Sequence, residues 1–260
     1  MLTNDQGLGY IKARKNHSCY GMGLGVIILD DVYPGFPGDV RNATTYPFNV
    51  QFEIVKGVDI QTLVFVKDKT PCLEPILQAA YNLEKKGCRA ISAECGYFAY
   101  FQKDVADKLS IPVFMSSLLQ VPWAQQVIGS SKLVGIFVGA KSAVQNDHLE
   151  AVGISLGSNY VIEGAIDGGI CEEFENLWIE GKRSDCPQAF YAKAEKEFVS
   201  VGKNFFDSHP NMGAMVLECT GFPPFARALQ REIDIPLFSY TTLMEYAHSI
   251  VVHRDFYGHV

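Results

Sequence analysis

Two glutamate–cysteine pairs carry the most chemistry in this chain. They are Glu94-Cys95 in "AISAECGYFAYFQ" and Glu218-Cys219 in "AMVLECTGFPPFA", each following a β-like run and preceding a helix-like one. At such a junction, backbone N–H groups and the positive end of a helix dipole stabilise a thiolate. Two such thiols facing each other across a cleft would offer a small molecule a base on one side and an acid on the other. That suits a carbon acid, because a C–H beside a carboxylate loses its proton only to a well-placed base. The developing charge must also be held. Backbone N–H groups near Gly96 and Tyr97, and near Thr220 and Gly221, are the candidates to hold the carboxylate. A glutamate beside each thiol works against thiolate formation unless its side chain points away.

The elements that would position these cysteines are duplicated. At the offset 219 − 95 = 124, Glu94 matches Glu218, Phe98 matches Phe222, Phe101 matches Phe225 and Ile111-Pro112 matches Ile235-Pro236. Self-similarity over such a length implies repeated structural units. Upstream, "VIIL" from Val26 matches "VGIFV" from Val134 at an offset of 108, which makes the second half longer by 16 residues before its cysteine. Apolar runs such as "GVIILD", "RAISAE", "KLVGIFVG" and "GAMVLE" read as buried strands. They alternate with helical stretches. "PILQAAYNLEKKG" ends on a stop glycine, Phe98 to Leu109 and Ala143 to Val152 read as helices, and "AFYAKAEKEFVSVGKNFF" as a long one. The expected fold is α/β: two pseudo-symmetric Rossmann-like lobes, each a parallel sheet flanked by helices, with the site in the cleft between them. Residues 1–128 form the first lobe and 129–260 the second, with 241–260 placed to pack back on the first.

Composition removes several function classes. A net charge of −7 provides no basic footprint for nucleic acid or for a membrane surface, and no apolar run reaches transmembrane length. Seven cysteines without a CxxC pair argue against a disulfide framework and a zinc ribbon. Cys72, Cys88 and Cys171 read as small buried hydrophobes. Free thiols and a polar first segment without a secretory core point to an intracellular location, cytoplasmic or organellar. "GMGLG" precedes its strand rather than following it, so it does not make a nucleotide loop. His253 and His259 lack a third ligand in step, so no metal is expected. The expected partners are a small carboxylate substrate and further copies of the chain, as a dimer or tetramer.

With "ECG" and "LECTG" each leading into a helix and an Ile-Pro strand, the chain from Gly25 onward resembles the aspartate/glutamate racemase superfamily. Within it, "LDDVYPGFPGDVRNATTYPFNVQFEIVKGVD", "VFMSSLLQVPWAQQ" and "LECTGFPPFARA" are similar to the algal-type dimethylsulfoniopropionate lyases and their homologues. The resemblance implies Cys95 and Cys219 as catalytic thiols and no cofactor. It also implies either a lyase that releases dimethyl sulfide and acrylate, or a racemase or isomerase of a small carboxylate that uses both thiols. A non-catalytic two-lobed sensor would not need the thiol pair. A sulfonium substrate needs aromatic walls for its cation; Tyr33, Phe36, Tyr46, Tyr97, Trp123 and Tyr240 are the candidates. Asp39, Arg41, Asn42 and Thr45, on the loop after the first strand, could line the cleft beside them.

Overall fold

The computed structural model describes residues 12, 13, 15, 17 and 19–256. Two four-stranded sheets, all strands parallel, form its centre. In the first the order is β2 (Val50–Val55), β1 (Leu24–Leu29), β3 (Ala90–Ala93), β4 (Val113–Phe114); in the second it is β6 (Tyr160–Gly164), β5 (Leu133–Val138), β7 (Met212–Leu217), β8 (Leu237–Phe238). The inner strands β3 and β7 are buried throughout, which is why they read as continuous apolar runs rather than as alternation. In both sheets the chain steps from the first strand to one side and then crosses to the other. This makes a topological switch point between β1 and β3, and between β5 and β7, where ligands of open parallel sheets bind.

The register sharpens the repeat. Ile27 pairs with Ala93 and Phe137 with Leu217, so the first strands correspond at 137 − 27 = 110 rather than 108. The second half is therefore longer by 124 − 110 = 14 residues before its cysteine. A slip of two residues preserves which side chains face which way, so apolar pattern alone could not resolve it.

Helices cover both sheets. Helix α1 (Leu73–Lys85) ends at Gly87, whose φ of +96° is the left-handed turn that glycine adopts without strain. Phe98 to Leu109 is not one helix. Gly96–Phe101 winds as tighter 3-10 turns and only α2 (Gln102–Ala106) is α-helical. The helices α4 (Asn146–Ala151), α6 (Tyr191–Asp207) and α7 (Pro223–Ile233) fall where helical spacing suggests or directly after the second cysteine. Helix α5 (Glu172–Trp178) lies in the longer half and has too short a period to be read in advance.

The last helix of each lobe crosses over. In α3 (Val121–Ile128), Val121 and Ala124 pack with Val134, Ile136 and Val216 of the second sheet. In α8 (Tyr240–Val251), Leu243, Met244 and Ala247 pack with Leu24, Val26 and Ala90 of the first. The exchange ties the two sheets together around the switch points. Among the described residues, no helix is long and apolar enough to cross a membrane.

Candidate active site

Cys95 and Cys219 follow β3 and β7 and line one small cavity of about 50 Å³ at the switch points. Both are partly buried free thiols. The chain leaves each strand in extended conformation (Cys95 φ −139°, ψ 132°) and then tightens. The backbone N–H of Tyr97 lowers the Cys95 pKa, and that of Gly221 lowers the Cys219 pKa. Burial outweighs them. Both thiols are pushed well above the ordinary cysteine value, first by desolvation and next by the Glu218 carboxylate. The free protein therefore does not hold two thiolates; ionisation needs further help from nearby charge.

The two glutamates are placed by the same backbone logic. Glu94 Oε2 accepts from Leu29 N at 3.0 Å, and Glu218 Oε2 accepts from Gly139 N at 3.3 Å, residues that correspond at the offset of 110. Both carboxylates thus reach back to the end of the neighbouring first strand, and Glu94 also lines the cavity. Their surroundings differ. Arg41 Nη2 lies 3.0 Å from Glu94 Oε2, and the guanidinium also donates to the Asp31 and Leu29 carbonyls at 2.6 and 3.1 Å. Burial pushes the Glu94 carboxyl up while Arg41 and the Leu29 N–H pull it back. Glu218 has only the Gly139 N–H to oppose burial, and its pKa rises to about 8. At neutral pH it is a buried carboxylic acid.

Gly96 is required where it stands. A Cβ there would collide with the Glu218 carboxylate and come within 2.6 Å of the Glu218 carbonyl. Its counterpart Thr220 has room, and its hydroxyl donates 2.6 Å to the Glu94 carbonyl across the lobes. Tyr97 crosses in the same way: its hydroxyl donates to the Ala140 carbonyl at 2.6 Å and accepts from the Ala140 N–H at 2.9 Å. Its ring still lines the cavity. Tyr33 lines it too, from the loop after β1, with its hydroxyl 2.8 Å from where a Cβ on Gly221 would be.

Other candidates from the sequence lie elsewhere. Asn42 caps the turn at Ala43–Thr45 and donates 3.1 Å to the Gly35 carbonyl, and the Thr45 hydroxyl donates 2.8 Å to the Asp39 carbonyl; both shape the loop rather than line the cavity. Tyr46 donates to the Val40 carbonyl at 2.8 Å. Phe36 packs edge-on against Tyr191 and Phe225. Tyr240 is fully buried behind the site, donating 3.1 Å to the Met115 carbonyl. Trp123 is 54% exposed on the outer face, against Phe238 and Tyr246. Asp39, by contrast, stands beside the Cys219 corner, its Oδ2 3.6 Å from where a Cβ on Gly221 would be; burial raises its pKa to about 7, and Arg41 N donates to it at 2.7 Å. His253 makes no metal cluster among the described residues, and His259 lies outside them.

Among the residues of the cavity wall that sequence reasoning does not single out, Trp178, Arg183 and Asp31 carry ring or charge. Trp178, stacked on Phe174 at 4.7 Å, supplies the tryptophan that Trp123 does not. Arg183 reaches from the longer lobe to Asp31 at 2.6 Å on the first, so both line the cavity as a pair. Trp178 and Arg183 belong to the extra residues of the second half, where the repeat provides no counterpart to point them out. The length difference itself was the available signal.

With two parallel sheets and a switch-point cleft, the fold is that of solved racemase and decarboxylase structures. It matches a glutamate racemase isoform of Bacillus anthracis with TM-score 0.54 and 13% identity, over 89% of this chain and 84% of the other. It matches an arylmalonate decarboxylase with TM-score 0.53 and 13% identity, over 88% of this chain and 92% of the other. In sequence the chain is similar to a dimethylsulfoniopropionate lyase of Durusdinium sp. clade D, 28% identical over 221 residues, covering 83% of this chain and 70% of that protein. It is also similar to dimethylsulfoniopropionate lyase 6 of Emiliania huxleyi, 26% identical over 224 residues, covering 84% of this chain and 57% of that protein. The chain thus spans only part of these relatives' length. No family model matches it.

Proposed function

We propose that this chain is a cofactor-independent carbon-acid lyase that splits dimethylsulfoniopropionate into dimethyl sulfide and acrylate, with a cysteine as base. What carries the reading is the pair of thiols lining one cavity, each under a backbone N–H, in a chain similar to dimethylsulfoniopropionate lyases. A thiolate takes the proton from the carbon beside the carboxylate. The electron pair left behind forms the new double bond, and the bond from the next carbon to sulfur breaks with its electrons going to sulfur. Dimethyl sulfide leaves neutral, acrylate keeps the carboxylate, and the thiol later returns its proton to water.

The cavity wall suits a zwitterion. Thr220 and Arg41 are the polar groups beside the thiols that can face the carboxylate. The rings of Tyr33, Tyr97 and Trp178 are placed for the sulfonium, each cation–π contact contributing ~0.5–2 kcal/mol. Both arginines are paired with carboxylates, so neither presents a bare positive charge to the sulfonium.

The near-symmetry of the two thiols favours a second reading, a two-base racemase or isomerase of a small carboxylate. Incubating the protein with dimethylsulfoniopropionate and sampling the headspace for dimethyl sulfide, alongside polarimetry on single-enantiomer amino acids, separates the two. Dimethyl sulfide with no change in rotation supports the lyase; loss of rotation without dimethyl sulfide replaces it by the racemase.

A further inference from the structure

We propose that the buried ammonium of Lys69 makes Cys95, rather than Cys219, the thiolate of the pair, so that Cys95 is the base and Cys219 rests as a thiol. The word base depends on the carbon-acid reading above; the difference between the thiols does not. Lys69 is completely buried, just past the π-helical turn Gln61–Phe65. Such turns are frequent at functional sites. Its Nζ donates to the carbonyls of Leu63 at 2.6 Å, Val66 at 2.9 Å and Val64 at 3.4 Å. Three acceptors around one nitrogen require three N–H groups, which only the ammonium has; a neutral amine would turn its lone pair on one of them.

This buried cation forms no ion pair among the described residues, whereas Arg41, Lys182, Arg183 and Lys193 all do. A buried charge without a counter-charge is costly, and carbonyl dipoles offset only part of that cost. Burial lowers the pKa of this ammonium, and the nearby groups that oppose the shift by becoming negative are the thiols of Cys72 and Cys95. Cys72 is buried in the first lobe's core, where Asp59 and Asp68 oppose its ionisation. Cys95 lines the cavity, packed against the cluster that includes Leu63 and Val64. His148, also near Lys69, is held neutral by burial, with its pKa lowered to about 4.

Burial, the Glu218 carboxyl and a backbone N–H act on both thiols alike. Cys95 faces the Tyr97 N–H, Glu218 and Glu94; Cys219 faces the Gly221 N–H, Glu218 and Asp39. Lys69 is the cation on the Cys95 side, and no cation stands among the strongest influences on Cys219. Once Cys95 is charged it also opposes ionisation of Cys219, so the two thiols do not ionise together.

The test is iodoacetamide labelling across a pH series, with each cysteine read by peptide mass spectrometry, on the parent protein, Lys69→Met and Lys69→Arg. In the parent, Cys95 should label first, about tenfold faster than Cys219 at pH well below both midpoints, the ratio that one pKa unit gives. Lys69→Met should erase that lead and Lys69→Arg should retain it. If Lys69→Met does not fold by circular dichroism, the order in the parent still decides: Cys219 labelling first overturns the assignment. An undiminished Cys95 lead in folded Lys69→Met removes Lys69 from it. A Cys95 lead in a protein that releases no dimethyl sulfide would overturn the lyase reading and leave this one standing.

Discussion

The two Glu–Cys corners have one backbone plan and two electrostatic solutions. In the first lobe a buried carboxylate keeps company with a guanidinium 3.0 Å away; in the second, the corresponding carboxylate has one N–H and takes up a proton, with its pKa raised to about 8. At neutral pH the second arrangement places a neutral acid beside the thiols, whereas the first keeps a carboxylate whose charge Arg41 offsets. A duplicated frame therefore does not require duplicated chemistry: position is inherited from the strand end, while charge is set by whatever loop packs behind it. Arg41 comes from the loop after β1, and among the described residues nothing equivalent stands behind Glu218.

That contrast is open to direct attack. Glu94→Gln leaves Arg41 buried beside a neutral amide and should cost ~3–5 kcal/mol of unfolding free energy. Glu218→Gln replaces an already neutral acid by a group of the same shape and should cost under about 1 kcal/mol. Urea unfolding at neutral pH measures both, and equal costs would mean that the two carboxylates carry the same charge.

The pH dependence sharpens it. Glu218 titrates near 4.5 when unfolded and near 8 when folded, so between those values the native state binds the extra proton. Stability from this group is fully present below pH 4.5 and is lost as pH rises through about 8. Asp39, raised to about 7, acts in the same direction over a narrower range. Melting temperature followed across this window should fall in the parent, and fall less in Glu218→Gln, with the Asp39 part remaining. Parallel curves for the two proteins would place the proton elsewhere.

Smaller effects distinguish the cavity wall from its supports. Trp178→Leu should weaken binding of the sulfonium substrate by ~1–2 kcal/mol, roughly five- to thirtyfold. The neutral thioether 3-(methylthio)propionate should bind parent and variant about equally; equal weakening would make Trp178 a packing residue only. Smallest is Tyr97→Phe. It keeps the ring but removes the hydroxyl that bridges to Ala140, with an expected loss of ~1 kcal/mol in stability, read by urea unfolding. A loss of substrate affinity larger than the loss of stability would give the hydroxyl a role in the cleft.

What the sequence disclosed follows from what repeats. Both cysteines, the buried inner strands and the Ile-Pro strands stood out because the offset of 124 runs unbroken through them. The first strands correspond at 110 where the apolar pattern suggests 108, since a slip of two leaves the apolar alternation intact. Trp123 and Trp178 show the limit of composition. Both are tryptophans near apolar runs, yet one sits 54% exposed on a crossed-over helix and the other lines the cavity from an unrepeated insertion. The exchange of α3 and α8 between sheets was equally hidden for α3, whose apolar stripe would fit either sheet. Lys69 carried no signal at all, because a lysine reads as solvated surface until the carbonyls around it are seen.

The most direct measurement is headspace dimethyl sulfide from dimethylsulfoniopropionate incubated with the parent, Cys95→Ser, Cys219→Ser and the double variant, with acrylate quantified in the same vials. The expected result is equal amounts of the two products from the parent and a drop of roughly 10²–10⁴-fold for Cys95→Ser, the span a positioned base contributes. Cys219→Ser should lose less, because only one base is needed to expel the sulfide. Parent-level dimethyl sulfide from the double variant, or none from the parent, would contradict a cysteine-based lyase.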